Sequence, residues 1–206
     1  MAIKPILFST PMVQAILDGR KTQTRRIIDV DSNFEYRGVI IGDGKRNGNH
    51  LFIIGPNKWT EIKPKYQPGD ILWVRETWQQ EAREFENENG KGWVFTGKYI
   101  YRADGAQLPI GSEAFGKWKL SIHMPKEAAR IFLKVTDVRV EKLQDISAKD
   151  AIAEGVESRL PDCGIAQSQF QVLWQSIHGS DSWHSNPYVW VYSFEKVDRP
   201  VNFLTV

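Results

Sequence analysis

Gly19-Arg20-Lys21-Thr22-Gln23-Thr24-Arg25-Arg26 is the stretch on which the reading of this chain turns. Upstream of it, Thr10-Pro11 marks a helix start, because Thr10 can accept from the first free N–H groups and Pro11 suits the first helical position. Met12, Val13, Ile16 and Leu17 recur at helical spacing, and Gly19 supplies the left-handed residue that ends the helix. From Thr22 to Ile28 the pattern suits a strand, with Thr24, Arg26 and Ile28 on one face and Gln23, Arg25 and Ile27 on the other. Lys21 shares Thr24's face only if it lies in the turn before regular alternation begins. Leu17, Ile27 and Ile28 are expected to be buried, and cations and hydroxyls packed between buried flanks ask for a use. The plain alternative is a solvated turn and the polar face of an edge strand, with Lys21 complementing the negative end of the helix dipole.

Working outward, Pro5-Ile6-Leu7-Phe8 reads as a short buried strand. Residues 29–65 read as an insertion. It holds apolar runs at Val39-Ile40-Ile41 and Leu51-Phe52-Ile53-Ile54, and a glycine-punctuated tip around Asp43 to Asn49 that is expected to be mobile. Pro68-Gly69-Asp70 is a turn that launches a core strand over Ile71 to Glu76. Glu81 to Glu88 reads as a solvated loop or helix, and Trp93-Val94-Phe95 with Lys98 to Tyr101 as a strand or hairpin. Residues 103–129 are loop-rich. Arg130 to Val140 is a long strand, bent midway. Ser147 caps a helix with Asp150 as its capping-box partner, and Gly155 ends it. A second helix spans about Ile165 to Ile177, with Phe170, Leu173, Trp174 and Ile177 on one face. Tyr188 to Phe194 is a final strand, apolar on both faces. The expected class is α+β, a small curved sheet or barrel with short flanking helices and large loop insertions at 29–65 and 78–129, all in one domain over 1–206.

Composition narrows the function classes. The net charge of +2 is too small to argue for nucleic acid unless the charge is local, and it is local from Arg20 to Arg26. A single cysteine, Cys163, excludes an internal disulfide framework and has no metal-ligating neighbour in sequence. His123, His178 and His184 have no partner at ligand spacing, so neither a metal nor another cofactor is expected. No apolar run reaches membrane-spanning length, which points to a cytoplasmic protein without a membrane partner. Trp78, Trp118 and Trp183 lie near predicted loops, where core packing competes with stacking on a base.

Glu154 breaks a local rule. It sits in the last turn of its helix, facing the negative end of the dipole, and four residues after Asp150. Both neighbours disfavour the ionised carboxylate, which suits a proton donor and equally a surface glutamate paired with a lysine. A threonine hydroxyl needs a base to become a nucleophile, and a lysine among cations can be that base. Lys21 as base, Thr24 as nucleophile and Glu154 as acid therefore form a possible acyl-transfer set. Arg26 is placed to hold a phosphate or a carbonyl oxygen. Glu76, at the end of a core strand, is a candidate second acid or the partner of Arg75.

The pattern Gly19-x-Lys21-x-x-Thr24-x-Arg26, between a helix and a strand, resembles the signature of ASCH domains, small barrels similar in fold to the PUA domains of RNA-modifying proteins. Pro68 to Leu72, Val135 to Leu143, Ser147 to Glu154 and Tyr188 to Lys196 resemble further elements of that family. Trp73 to Trp78 and the insertions resemble its longer members from phages and prophages. One bacterial branch comprises amidohydrolases that remove the acetyl group from N4-acetylcytidine. The resemblance implies Lys21, Thr24 and Glu154 as the catalytic residues, with Arg26 as the supporting cation; from the residues themselves, Arg25 beside Arg26 and Glu76 at the end of its core strand are further candidates for contact with the substrate. Elsewhere in the family the threonine position is often glutamate, so Thr24 favours this branch, whose compact members lack the insertions seen here. The expected partner is a nucleoside or RNA. The alternatives are a non-catalytic RNA-binding ASCH module, or a ribonuclease using the same basic cleft.

Overall fold

A computed structural model describes residues 1–28, 39–41, 51–54, 59–88, 90–108, 116–157 and 164–205, with the backbone alone at 39–41, 51–54 and 59–61. The architecture is mixed α+β and mostly sheet, and no closed barrel is found among the described strands. The chain divides into two compact units, one formed by 1–2, 19–70 and 134–195, the other by 3–18, 71–133 and 196–206.

In the first unit, β2 (Gln23–Ile27) runs antiparallel to β10 (Tyr188–Val197), with Thr24 opposite Tyr192 and Arg26 opposite Trp190. The long strand β9 (Phe132–Lys142) lies on the other side of β10. Because opposed residues of an antiparallel pair point the same way, one face carries Thr24, Arg26, Tyr192 and Trp190 and the other Arg25, Val189 and Val191. The second face is covered by α2 (Ala148–Ala153) and α3 (Ile165–His178). Phe170, Trp174, Ala151, Leu143, Val189 and Val191 form one buried cluster there. Burial of each large side chain stabilises by about 1.5–3 kcal/mol.

Ser147 caps α2 as the spacing predicts, and Asp150 returns to its hydroxyl in place of the backbone N–H of a capping box. Ser147 Oγ accepts from the Asp150 N–H at 3.1 Å and donates to Asp150 Oδ2 at 2.8 Å. Ser147→Ala is expected to lose about 1 kcal/mol, read as a lower urea midpoint at unchanged m-value. A midpoint equal to the wild type's would show that the cap does not hold α2.

The predicted 29–65 insertion contributes β3 (Val39–Ile41), β4 (Leu51–Ile54) and β5 (Trp59–Ile62), an antiparallel three-stranded sheet. The β3–β4 hairpin matches the two apolar runs, and β5 is an addition. The expected mobile tip at 43–49 and the Cys163 loop lie outside the described residues.

In the second unit, β1 (Ile3–Leu7) pairs in parallel with β6 (Ile71–Arg75). Helix α1 (Thr10–Leu17) has Ser9, not Thr10, at its N-cap, and that side chain makes no capping bond. Gly19, at φ 74°, follows the helix in the left-handed conformation that glycine tolerates. The Glu81–Glu88 stretch is neither loop nor helix. β7 (Trp78–Asn87) and β8 (Gly90–Tyr101) form one long antiparallel hairpin with a register shift between Gln80 and Ala82. Cross-strand pairs hold its charges: Thr96 donates to Glu81 at 2.6 Å, and Lys91 stands 3.4 Å from Glu86. The acidic run is therefore an exposed strand arm whose partners lie across the hairpin. Trp73, Trp78, Met124, Phe132 and Phe203 form this unit's buried cluster.

Burial around the opening stretch differs from expectation. Ile28 is 6% exposed, but Leu17 and Ile27 are 38% and 41% exposed. The buried members are the polar ones: Lys21, Thr24 and Arg25 are each 3% exposed or less.

Candidate functional site

Lys21 leaves the chain just before β2, where backbone bonds fix the turn. The Thr22 N–H donates to the Ala153 carbonyl at 2.8 Å, and the Phe194 N–H donates to the Thr22 carbonyl at 2.9 Å. This ties the entry of β2 to the last turn of α2, the point at which Glu154 is the C-cap. The Lys21 Nζ donates to Glu154 Oε2 and to the Glu154 carbonyl, both at 2.8 Å, across 133 residues of sequence. The side chains are 0% and 4% exposed, so the pair is enclosed. The second carboxylate oxygen, Oε1, accepts from Arg25 Nη1 at 3.1 Å.

Arg25 is also fully enclosed. Its Nη2 donates to Glu141 at 2.9 Å and stands 3.8 Å from Asp150, and its guanidinium lies 5.7 Å from the Phe170 ring centroid. Arg139 bonds the same Glu141 and Asp150. Lys21, Arg25 and Arg139 thus face Glu141, Asp150 and Glu154, a neutral set when all six are ionised.

Burial pushes the Lys21 amine below the ordinary lysine range. The charges of Arg26 and Arg25 act the same way, while the charge and hydrogen bond of Glu154 oppose them. An amine so placed is closer to the neutral form that accepts a proton. Burial works against the Asp150 charge, but hydrogen bonds from Ser147 and Gln23 and the Arg139 and Arg25 charges outweigh it and hold that carboxyl below its usual value.

Thr24 is 3% exposed and, by strand alternation, shares a face with Arg26, opposite to that of Arg25. Beside Arg26 are two side chains not singled out in the sequence. Tyr66 and Tyr192 meet edge to face, with centroids 5.1 Å apart, and both act on Arg26 electrostatically, as does Glu154. Burial pushes the Tyr192 phenol up to about 12. Tyr192 was legible only through its pairing with Thr24, and the apolar look of both faces of the last strand hid it.

Two expectations are corrected. Arg25 does not reach toward a ligand, since its enclosed guanidinium is spent on the buried Glu154 and the half-buried Glu141 and Asp150. Glu76 is not the partner of Arg75, whose guanidinium donates to the Ile122 carbonyl and lies 5.4 Å from the Trp73 ring centroid. Glu76 belongs to the second unit and is 1% exposed. Its two oxygens accept from Arg130 Nε at 2.9 Å and Nη2 at 3.0 Å. Arg130 in turn bonds Asp104 at 2.7 Å and covers the Tyr101 ring at 3.8 Å. Of the tryptophans, Trp78 is core, and Trp183 packs against Phe170 with centroids 6.2 Å apart.

Burial pushes the Glu76 carboxyl above its ordinary 4.5, and the Arg130 hydrogen bonds and charge oppose this. A raised carboxyl contributes stability that is fully present below the unfolded value and is lost as pH rises through the folded value. Arg130→Met removes the opposing influence, so the window of loss extends to higher pH. The variant's Tm should fall more steeply than the wild type's above pH 4.5, with about 3 kcal/mol lost at neutral pH. Parallel Tm–pH curves would reject the pairing as the reason Arg130 matters.

Among the described residues no group of three or more His, Cys, Asp or Glu side chains is placed to hold a metal ion, and no helix is long and apolar enough to cross a membrane. Compared with known proteins, the chain matches no family model, no curated protein and no solved structure.

Proposed function

We propose that the chain is an amidohydrolase of the ASCH type, with a PUA-like domain, that converts N4-acetylcytidine or a related modified nucleoside to cytidine, or the corresponding deacetylated nucleoside, and acetate. The observation that supports this most is the enclosed amine of Lys21, held below its usual range by burial and 2.8 Å from the Glu154 carboxylate, three residues ahead of a buried threonine. A surface lysine would stay protonated and could not serve as a base.

In this reading neutral Lys21 takes the proton of Thr24 Oγ1 as that oxygen attacks the acetyl carbonyl. The oxyanion is met by Arg26 or by backbone N–H groups. The proton passes across the Lys21–Glu154 contact and is delivered to the exocyclic nitrogen as the C–N bond breaks. Lys21 then takes a proton from the water that attacks the acetyl-threonine, the Thr24 oxygen leaves and recovers that proton, and acetate departs with its remaining proton lost to solvent.

One observation also favours a second reading. A formed Lys21–Glu154 ion pair can shape a site without reacting. The protein would then hold RNA, with Arg26 on a phosphate, and binding would weaken steeply with salt.

The test is incubation with N4-acetylcytidine and chromatography for cytidine, with Thr24→Val as control because it removes the hydroxyl and keeps the shape. Cytidine from the wild type and none from Thr24→Val is the expected result. Turnover retained in Thr24→Val rejects the nucleophile. No cytidine at high enzyme concentration rejects the activity, and short RNAs would then separate a nuclease, which leaves cut strands, from a binder, which leaves intact ones.

A further inference from the structure

The proposed chemistry uses Lys21, Glu154 and Thr24, and leaves unexplained why a third charged group is enclosed beside them. Burying a guanidinium is costly unless its donors are matched, and Arg25 has no exposed side-chain surface, its two terminal nitrogens being paired while its Nε makes no hydrogen bond. Its contacts are directional. One nitrogen, Nη1, is aimed at Glu154 Oε1 at 3.1 Å, and the other, Nη2, is aimed at Glu141 at 2.9 Å and lies 3.8 Å from Asp150. Phe170 lies under the guanidinium. Glu141 comes from β9 and Asp150 from α2, and Arg139 braces both carboxylates. The planar fork is thus anchored at one end by two braced carboxylates and grips Glu154 at the other. A carboxylate gripped at Oε1 presents Oε2 alone to a second donor, and Lys21 is that donor.

We infer that Arg25 is a positioning residue: anchored by Glu141 and Asp150, it fixes the Glu154 carboxylate so that Lys21 meets a single oxygen and stays poised to accept a proton. The inference rests on the amidohydrolase reading for its consequence in turnover, but the positioning can be read without turnover. With Arg25 removed, Glu154 is free to turn both oxygens to the amine. Lys21 then becomes a permanently protonated partner of a salt bridge.

The charged groups around the pair all bear on the outcome. Lys21 is met by Glu154 at the end of α2 and by Arg25 and Arg26 of β2. Arg26 is itself influenced by Tyr66, Tyr192 and Glu154, and acts on His178 of α3. Arg20 is directed away, its Nη1 donating to the Gly155 carbonyl at 2.9 Å and its Nη2 standing 3.6 Å from Glu157. Arg25 holds the Glu154 oxygen Oε1, and Lys21 holds Oε2.

The experiment follows the Lys21 side chain by NMR in protein labelled at lysine Cε and Nζ, its signal assigned by loss in Lys21→Met. Titrations of wild type, Arg25→Met and Arg25→Lys are set beside the pH profiles of kcat and KM on N4-acetylcytidine. In Arg25→Met the Lys21 midpoint should move to higher pH. The kcat should fall about 10²-fold with KM little changed, as a small misplacement at a reacting centre does. The acid limb of the kcat profile should move with the Lys21 midpoint. In Arg25→Lys the charge is kept but the rigid two-nitrogen fork is lost, so the midpoint should move the same way by less.

If Arg25→Met does not fold, Arg25→Lys carries the decision. A Lys21 midpoint unchanged in the folded variants overturns the inference, whatever the activity, and leaves Arg25 as a structural ion pair. If the wild type releases no cytidine but the midpoint moves as stated, the positioning stands and the amidohydrolase reading fails.

Discussion

Lys21→Met is expected to lower kcat/KM on N4-acetylcytidine by about 10³-fold, the middle of the range that a general base supplies. The change is suited to the site because an apolar side chain replaces a fully enclosed one, and Glu154 keeps its bond to Arg25 at 3.1 Å. Exchanging one member of a buried pair for an apolar residue usually costs about 3–5 kcal/mol by stranding the other charge. Here the carboxylate retains a cation, so the Tm should fall by only a few degrees. Lys21→Arg should be as inactive as Lys21→Met, because a guanidinium stays protonated and cannot accept a proton. Steady-state rates with a melting curve for each variant decide this. Activity surviving in Lys21→Arg would mean that the site needs a charge at this position and not a base.

Removing the carboxylate should have the opposite balance, with stability the larger casualty. Glu154→Leu leaves the Lys21 amine without the carboxylate it bonds and takes one of the three carboxylates from Arg25. A loss of about 3–5 kcal/mol is expected. Its pH dependence follows from the sign of the Lys21 shift. Burial, Arg26 and Arg25 hold the amine below its usual range, and Glu154 opposes them. Without Glu154 the folded amine falls further below its unfolded value, so between the two values the unfolded chain binds more protons and stability rises with pH. The Glu154→Leu variant should therefore be weakest at neutral pH and below, and recover toward alkaline pH. The double variant Lys21→Met/Glu154→Leu should regain roughly half or more of the loss, because coupling between contacting charges is not additive. Additive losses in that cycle would show that the two side chains do not depend on one another.

How far such a site can be read in advance is shown by particular residues. Ser147 and Asp150 are three apart and form their cap as spacing alone dictates. The break at Gly19, the alternation of Thr24 with Arg26 and the turn before Ile71 are equally local, set by backbone preference and the period of a strand. Glu154 stood out because it opposes its own helix end, and it does occupy that end. The Glu81–Glu88 run reads locally as a loop or helix because its apolar alternation is weak, and it is a strand because β8 pairs with it.

Legible in the sequence are those features whose cause lies within a few residues: the Ser147 cap, the turns at Gly19 and before Ile71, and the alternation of faces along β2. The tertiary structure alone decided which charges are enclosed and with whom. Arg25 meets Glu141 and Glu154 across 116 and 129 residues, and Lys21 meets Glu154 across 133. No periodicity encodes such a meeting. It depends on β2 pairing with β10 and on the end of α2 bonding to Thr22. Burial then decides the protonation of Lys21, since the same amine in water would hold its proton and in this enclosure holds it less firmly.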